Sequence, residues 1–546
     1  MSKHLIITLF CFFSILQVFS QTYSIILGRP TDKTITFSIL FDQNVNFYIE
    51  YGTSTNNYTK TTPTQTSAAN IPNTIEISDL SFNTKYYYKL RYKSNSVTTF
   101  NASPEYNFQT QRDKGNAFSF TVESDEHLYD KKGIRSMYQV TLNNQALDKP
   151  DFMLSLGDIF GDDHYPNTIT SNDLDLLHKD YRQYLGSICH SIPFFISLGN
   201  HEGENDFYLN QNPPNNLAIW GTYWRKYYYP NPSPNLFYNG NTDKEPYGIG
   251  SPENYYAWTW GDALFVVLDV YRYQNVNSDK PINWDWSLGF KQYSWLKNTL
   301  EGSKAKYKFV FAHHIRGQGR GGLTNAKLFE WGGYEGDGKT YGFDKNRPGW
   351  GKPIHQLFKD NGVNIFFQGH DHLFAHEILD SVHYQEVPMP SDSTYMIGKL
   401  ANADAYTSDT LDGTGHIRVT VSSSCVKVDY VKAYLPKDTL DGKHKNREIG
   451  FSYTVGNCLV TGVDEIQNLP LSDFVKIYPN PASNIIQLTF KEPFQKFEST
   501  IMDEIGNTVL VSNKNQLNVN NLPNGFYILS IQTEKWKKSQ KIIINK

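Results

Sequence analysis

Five times along this 546-residue chain a short apolar run stops directly at residues able to ligate a metal ion. Phe118-Ser-Phe-Thr-Val122 leads into Ser124-Asp125-Glu126-His127, and Phe152-Met-Leu-Ser-Leu156 leads into Gly157-Asp158. Pro193-Phe-Phe-Ile-Ser-Leu198 is followed by Gly199-Asn200-His201-Glu202. Phe309-Val-Phe-Ala312 ends in His313-His314, and the run at Ile365-Phe-Phe367 in Gly369-His370-Asp371-His372. None of the runs alternates with polar residues, which fits central strands covered on both faces. With a further run at Leu264-Phe-Val-Val-Leu268 and helical candidates at Asp173–Tyr184 and Phe290–Leu300, the stretch from Asn116 to about Gly456 predicts an α/β layout. Loops after strand carboxyl ends are where such sheets build sites, so five of these loops can converge above one sheet edge.

The residue types have a chemical logic. Imidazole suits zinc, iron and related ions, while carboxylates suit harder ions and can bridge two of them. Two ions about 3.5–4 Å apart clamp a phosphoryl group and generate a hydroxide nucleophile near neutral pH. Asp-x-His and His-x-His spacings let both side chains enter one site, because alternate residues of an extended segment share a face. An asparagine adds a neutral oxygen ligand without adding charge. A single Gly-Asp turn or Gly-Asn-His-Glu block means little, but the ordered set of five argues for one site.

The remaining chain has different textures on either side. Residues 22–112 alternate apolar and polar in short runs, as in Thr34–Phe41 and Val45–Tyr51, which predicts strands. Lys3, His4 and the apolar Leu5–Phe13 predict a signal peptide over residues 1–20, too short to span a bilayer core that needs about twenty apolar residues. No other stretch is apolar for long enough to span. A net charge of −4 without basic clusters gives no nucleic-acid-binding surface. Of four cysteines Cys11 leaves with the signal peptide, and Cys189, Cys425 and Cys458 allow one disulfide but no cysteine-rich scaffold.

Three resemblances organise these readings. Leu80-Ser-Phe-Asn-Thr-Lys-Tyr86-Tyr-Tyr88-Lys-Leu90 resembles the late-strand signature of fibronectin type III sandwiches, with Tyr86 at the corner between strands. Val475-Lys-Ile-Tyr-Pro-Asn-Pro-Ala-Ser-Asn484 and Leu522-Pro-Asn-Gly-Phe-Tyr-Ile-Leu529 closely resemble the C-terminal sorting domain of type IX secretion. The five ligand blocks are similar to the calcineurin-like metallophosphoesterase superfamily, which includes purple acid phosphatases. Together they imply a four-layer α/β/β/α metallophosphoesterase sandwich, preceded by a fibronectin-III-like β-sandwich and followed by a small β-sandwich sorting domain. The expected boundaries are 21–112, 113–457, a linker at 458–474, and 475–546.

The metallophosphoesterase resemblance also implies roles. Asp125, His127, Asp158 and His372 would hold a first metal, Asp158 would bridge, and Asn200, His313 and His370 would complete a second. His201 would face substrate and stabilise the transition state or protonate the leaving oxygen; Glu202 would orient it or be a surface carboxylate. His314 competes with His313 as ligand. His314 and Arg316 are candidate substrate contacts, set against a solvated Gly-rich loop through Arg320. By position alone, Asp162, Asp163 and His164 would line the rim or form a polar turn, and His376, His383 and His416 lack ligand spacing. Glu204–Gly261, dense in Tyr, Asn and Pro, reads as an insertion walling the cleft. Purple acid phosphatases place a tyrosine three residues after the bridging aspartate, where this chain has Gly161, so the expected ions are two of zinc, iron or manganese without a tyrosinate. The expectation is an exported enzyme of a Gram-negative bacterium, secreted or at the cell surface after passing the periplasm. It would hydrolyse small phosphate esters, monoesters first, with diester or nucleotide hydrolysis as alternatives and an inactive surface binding protein as the rival.

Overall fold

A computed structural model describes residues 23–161, 166–278, 280–315, 321–456, 474–491, 496–503, 507–533 and 537–546. The signal peptide, Asp162, Asp163, His164, Arg316, Arg320 and nearly all of the expected linker lie outside the described residues. The chain forms two compact units, dividing after Val455.

The first unit begins with a β-sandwich. One sheet orders Tyr23–Gly28, Ile35–Phe41 and Asn73–Ile77, and the other is built around Val45–Gly52 and Lys85–Ser94. Their alternating inward residues, among them Ile25, Phe37, Phe47, Tyr88 and Leu90, make one core. Tyr86 takes the corner position, its hydroxyl accepting the Ser81 N–H at 2.8 Å.

The domain that follows has two stacked sheets. The first is formed by β1 (Phe118–Glu123), β2 (Phe152–Ser155) and β3 (Phe194–Ile196), with three later strands described below. The second contains β4 (Asn239–Gly240), β5 (Tyr256–Trp260), β6 (Ala263–Val267), β7 (Tyr307–Phe311), β8 (Ile365–Gln368), β9 (Phe374–Leu379), β10 (Val382–Glu386) and β11 (Asp409–Leu411). The chain then returns to the first sheet with β12 (Gly415–Val421), β13 (Cys425–Lys432) and β14 (Ile449–Gly456). The spatial orders are β3-β2-β1-β12-β13-β14 and β4-β5-β6-β7-β8-β10-β9-β11. β1, β2 and β3 run parallel, as do β6, β7 and β8, so their carboxyl ends lie at common edges.

Why these runs lack alternation is now visible. Phe120, Phe152, Phe265, Phe309, Phe311 and Phe367 fill the space between the sheets. Their strand neighbours face outward into helix: Met153 and Phe194 pack with Tyr138 and Leu142 of Arg135–Asp148 and Tyr181 and Leu185 of Ser171–Leu185. Val266, Val310 and Phe366 pack with Leu296 and Leu300 of Gly289–Gly302 and Leu357 of Ile354–Asp360. These strand residues meet apolar partners on one side or the other, and the result is the four-layer α/β/β/α sandwich. Truncating a ring such as Phe120 at the sheet interface would cost about 3–5 kcal/mol. The helix expected at Asp173–Tyr184 begins two residues earlier, because Thr170 and Asp173 form a reciprocal capping box.

The stretch expected as an insertion, Glu204–Gly261, is partly core. Its last residues form β5, with Tyr256, Trp258 and Trp260 buried between the sheets. Ahead of it, Leu217–Tyr228 is a helix whose Arg225 pairs with buried Glu204 at 2.7 Å. The β-sandwich is fastened to this domain by Arg182, 1 % exposed, which donates to Ser24, Ser38 and the carbonyl of Tyr228. His376 and His383 bond each other at 2.8 Å, and His416 bonds Asp148 at 2.7 Å. Cys189 is buried and free, whereas Cys425 is disulfide-bonded. No helix among the described residues is long and apolar enough to cross a membrane.

The second unit is β-rich. Val475–Tyr478, Ile485–Phe490 and Gln516–Asn518 form one sheet. Thr508–Ser512, Phe497–Met502, Gly525–Thr533 and Lys537–Ile544 form another. Ile486, Leu488, Ile501, Leu529 and Ile531 form its core.

Candidate metal centre

The loops after β1, β2, β3, β7 and β8 bring Asp125, His127, Asp158, His201, His313, His370 and His372 to one place. Three of the four groups of ligand atoms that lie mutually within 4.8 Å among the described residues are built from these: Asp125 with His127 and His372, His127 with Asp158 and His201, and Asp158 with His313 and His370. His127 Nε2 stands 3.0 Å from His372 Nε2 and 3.8 Å from Asp158 Oδ2. His313 Nε2 stands 3.2 Å from the same Asp158 oxygen and 3.3 Å from His370 Nδ1. Asp158 Oδ2 thus faces both groups, while its Oδ1 accepts the backbone N–H of His201 at 2.8 Å.

The local backbone is bent to achieve this. Asp125, His127, Asp158, His370 and His372 all have φ between 46° and 80°. Non-glycine residues rarely occupy that region, and clustered occurrences mark sites where surrounding structure holds strain in place. Buried Glu202 supplies some of that restraint. Its carboxylate accepts the N–H groups of Asp158, Ile159, Phe160 and Gly199 at 2.5–3.1 Å, clamping the β2 and β3 loops together. It is neither a surface carboxylate nor, in these contacts, a partner of the His201 ring.

The donor set fits a cation. Asp125 Oδ1 is fully buried without a hydrogen-bond partner. Around it stand the Nε2 atoms of His372, His127 and His313 at 3.5, 3.7 and 3.8 Å. Those separations are too long for hydrogen bonds, but two ligands each about 2.0–2.1 Å from one ion sit roughly 3.3–4 Å apart. Burial by itself would raise Asp125, yet the His313 imidazole, with His127 and His372, holds it well below the usual carboxylate range. Burial opposes protonation of His313, but the charges of Asp158 and Asp125 push it up to about 9. Two buried carboxylates thus draw positive charge into the cluster, which a metal would supply instead of protons.

Ring orientation is set from behind. His313 Nδ1 donates to the Leu156 carbonyl at 2.9 Å and His372 Nδ1 to the Leu400 carbonyl at 3.0 Å, leaving each Nε2 inward. His127 Nδ1 faces Tyr129 Oη at 2.9 Å and Asp130 Oδ2 at 3.2 Å. Tyr129 and Asp130 were not distinguishable in the sequence; their spacing from His127 is the one signal they carry. Asn200 is at the same edge, its Oδ1 3.5 Å from the Tyr271 hydroxyl. His314 is buried beside His370, rings 4.3 Å apart, and groups with His370 and Asp371 rather than with Asp125 or Asp158. Asp371 is held by Gly321 N–H and the Tyr406 hydroxyl.

Gly161 also acquires a reason. A Cβ there would lie 1.8 Å from the His201 carbonyl oxygen and 2.4 Å from Glu202 Cα. The volume a tyrosine would need is filled by the loop that presents His201.

Comparison with known proteins agrees with this architecture. Residues 118–374 match the calcineurin-like phosphoesterase family, and residues 476–545 match the secretion system C-terminal sorting domain. No curated protein matches the chain in sequence. Among solved structures, PhoD superposes with TM-score 0.54 at 18% identity, over 79% of this chain and 90% of that one. Purple acid phosphatase PPD1 of yellow lupin (Lupinus luteus) superposes with TM-score 0.51 at 15% identity, over 80% of this chain and 74% of that one. At such identities the superpositions speak for the fold. Residues 118–374 thus form a calcineurin-like phosphoesterase domain, and residues 476–545 a type IX secretion sorting domain at the C-terminal end.

Proposed function

We propose that the protein is a binuclear, metal-dependent phosphoesterase that acts outside the cell, with phosphomonoesters as its first substrates. The observation that carries this reading is Asp158 Oδ2, placed between the Nε2 atoms of His127 and His313 at 3.8 and 3.2 Å. Asp125, His127, Asp158 and His372 would hold one ion, and Asp158, Asn200, His313 and His370 the other. The bound pair would be zinc, iron or manganese and would supply a water nucleophile of lowered pKa and positive charge against the phosphoryl oxygens.

The chain's own groups do the rest. His201, whose Nε2 is 3.8 Å from Asp158 Oδ2, keeps its side chain 16% exposed, so its ring is reachable from solvent, while Asp125, His127, Asp158 and His313 are buried. That placement suits protonation of a leaving alkoxide oxygen or a hydrogen bond to the phosphoryl group. Glu202 and Asp158 Oδ1 fix the loop carrying His201. The leader at residues 1–20 and the sorting domain support export, the first into the periplasm and the second onward by type IX secretion.

The test is a panel of aryl phosphate monoesters and diesters, assayed with apo-protein and with protein reloaded with zinc, iron or manganese. Monoester cleavage restored by metal is expected. Diester cleavage alone would transfer the assignment to a phosphodiesterase, and inactivity with every metal would leave the inactive binding protein.

A further inference from the structure

Among the imidazoles at the centre, His127 is backed differently from its neighbours. His313 and His372 give their outer nitrogen to backbone carbonyls. His127 instead meets a carboxylate and a phenol: Asp130 Oδ2 at 3.2 Å and Tyr129 Oη at 2.9 Å from the same Nδ1. Asp130 is itself anchored, by Lys132 Nζ at 2.8 Å and by the Lys132 backbone N–H at 3.1 Å. Tyr129 also packs against the His201 ring in a tilted arrangement, with centroids 5.7 Å apart.

An ionised carboxylate can only accept, so Asp130 requires the His127 hydrogen at Nδ1 and leaves Nε2 as the electron-pair donor facing Asp125 and His372. An anionic acceptor also draws the shared proton toward itself, which makes the opposite nitrogen a stronger donor than a carbonyl-backed imidazole. Resting on the binuclear reading above, we propose that Asp130 and Tyr129 are positioning residues that selectively tighten the metal position formed by Asp125, His127 and His372. Asp130 makes this contact with His127, so residues 129–132 act on the position that holds His127.

The test titrates chelator-stripped full-length protein with Zn2+ against a chromophoric competitor, resolving two binding constants. Asp130→Asn keeps shape and removes charge, and is expected to weaken one constant by about 10–100-fold while leaving the other in place. Tyr129→Phe is expected to weaken the same constant by a smaller factor. Equal constants in wild type and Asp130→Asn, or a parallel loss in both, would overturn the assignment. Should Asp130→Asn lose its native circular dichroism, Tyr129→Phe decides: a loss confined to one constant supports the assignment, and no change overturns it. Wild-type protein that takes up no zinc overturns the binuclear reading itself, a result distinct from an unselective Asp130 variant.

Discussion

Replacing Gly161 by alanine tests how tightly the β2 and β3 loops are interlocked. The added Cβ would sit 1.8 Å from the His201 carbonyl oxygen and 2.5 Å from its carbonyl carbon. Ordinary contact needs more than 3 Å, so one segment must move by roughly 1.2 Å or more. Both obstructing atoms are backbone, so no side chain can swing away, and Glu202 ties that backbone to Asp158, Ile159 and Phe160. Overpacking of this kind costs about 1–3 kcal/mol. In a domain of this size that corresponds to a fall in melting temperature of roughly 1–4 °C. The functional effect should be larger, because a misplacement of about 1 Å at a reacting group can cost about 100-fold in rate. The assay is kcat on an aryl phosphate ester beside a thermal melt and a metal determination. Wild-type turnover in Gly161→Ala would refute the interlock, since it would mean that the His201 loop shifts freely without changing the chemistry.

Other perturbations separate roles. Asp158→Ala should lose bound metal and activity together, whereas His201→Ala should keep metal and lose about 100–10,000-fold in turnover, as read by elemental analysis and kcat. Acid stability should follow buried histidine. Burial, followed by the charges of Arg225 and Arg182, lowers His178 to about 3, against about 6.5 in the unfolded chain. The unfolded chain therefore takes up protons first, so stability present above pH 6.5 is lost as pH falls towards 3. His178→Phe should flatten the decline in melting temperature between pH 7 and 4.5, and an unchanged slope would contradict this. Arg182→Met should remove the donors that reach Ser24, Ser38 and the Tyr228 carbonyl at the β-sandwich joint, leaving Tyr228 O only its bond from Ser38 Oγ, at about 1–3 kcal/mol. Limited proteolysis releasing the sandwich at lower temperature than in wild type would register it.

Much of the architecture was legible because the signals are local. A strand covered on both faces has to be apolar throughout, so β1, β2, β3, β6, β7 and β8 announced themselves, and ligand blocks follow all of them but β6 within a few residues. β5 was hidden because Tyr256, Trp258 and Trp260 look like the rest of an aromatic loop until their pairing with β6 is known. The return of β12–β14 to the first sheet is a long-range event without a local mark. At the centre, residue types and order pointed to the cluster, but the backing of His127 by Asp130 and the packing of the His201 loop against Gly161 depend on distances that spacing does not encode. Glu202 shows the same limit: adjacency to His201 drew attention to the ring, while the carboxylate in fact holds backbone amides on the preceding loop.

The most direct test of the binuclear reading is elemental analysis of the purified, exported protein, paired with phosphate-ester turnover in the same preparation. The arrangement of Asp125, His127, Asp158, Asn200, His313, His370 and His372 predicts close to two transition-metal ions per chain, with turnover lost on chelation and regained on reloading. Less than one ion per chain, together with no cleavage of either monoesters or diesters after reloading, would contradict it.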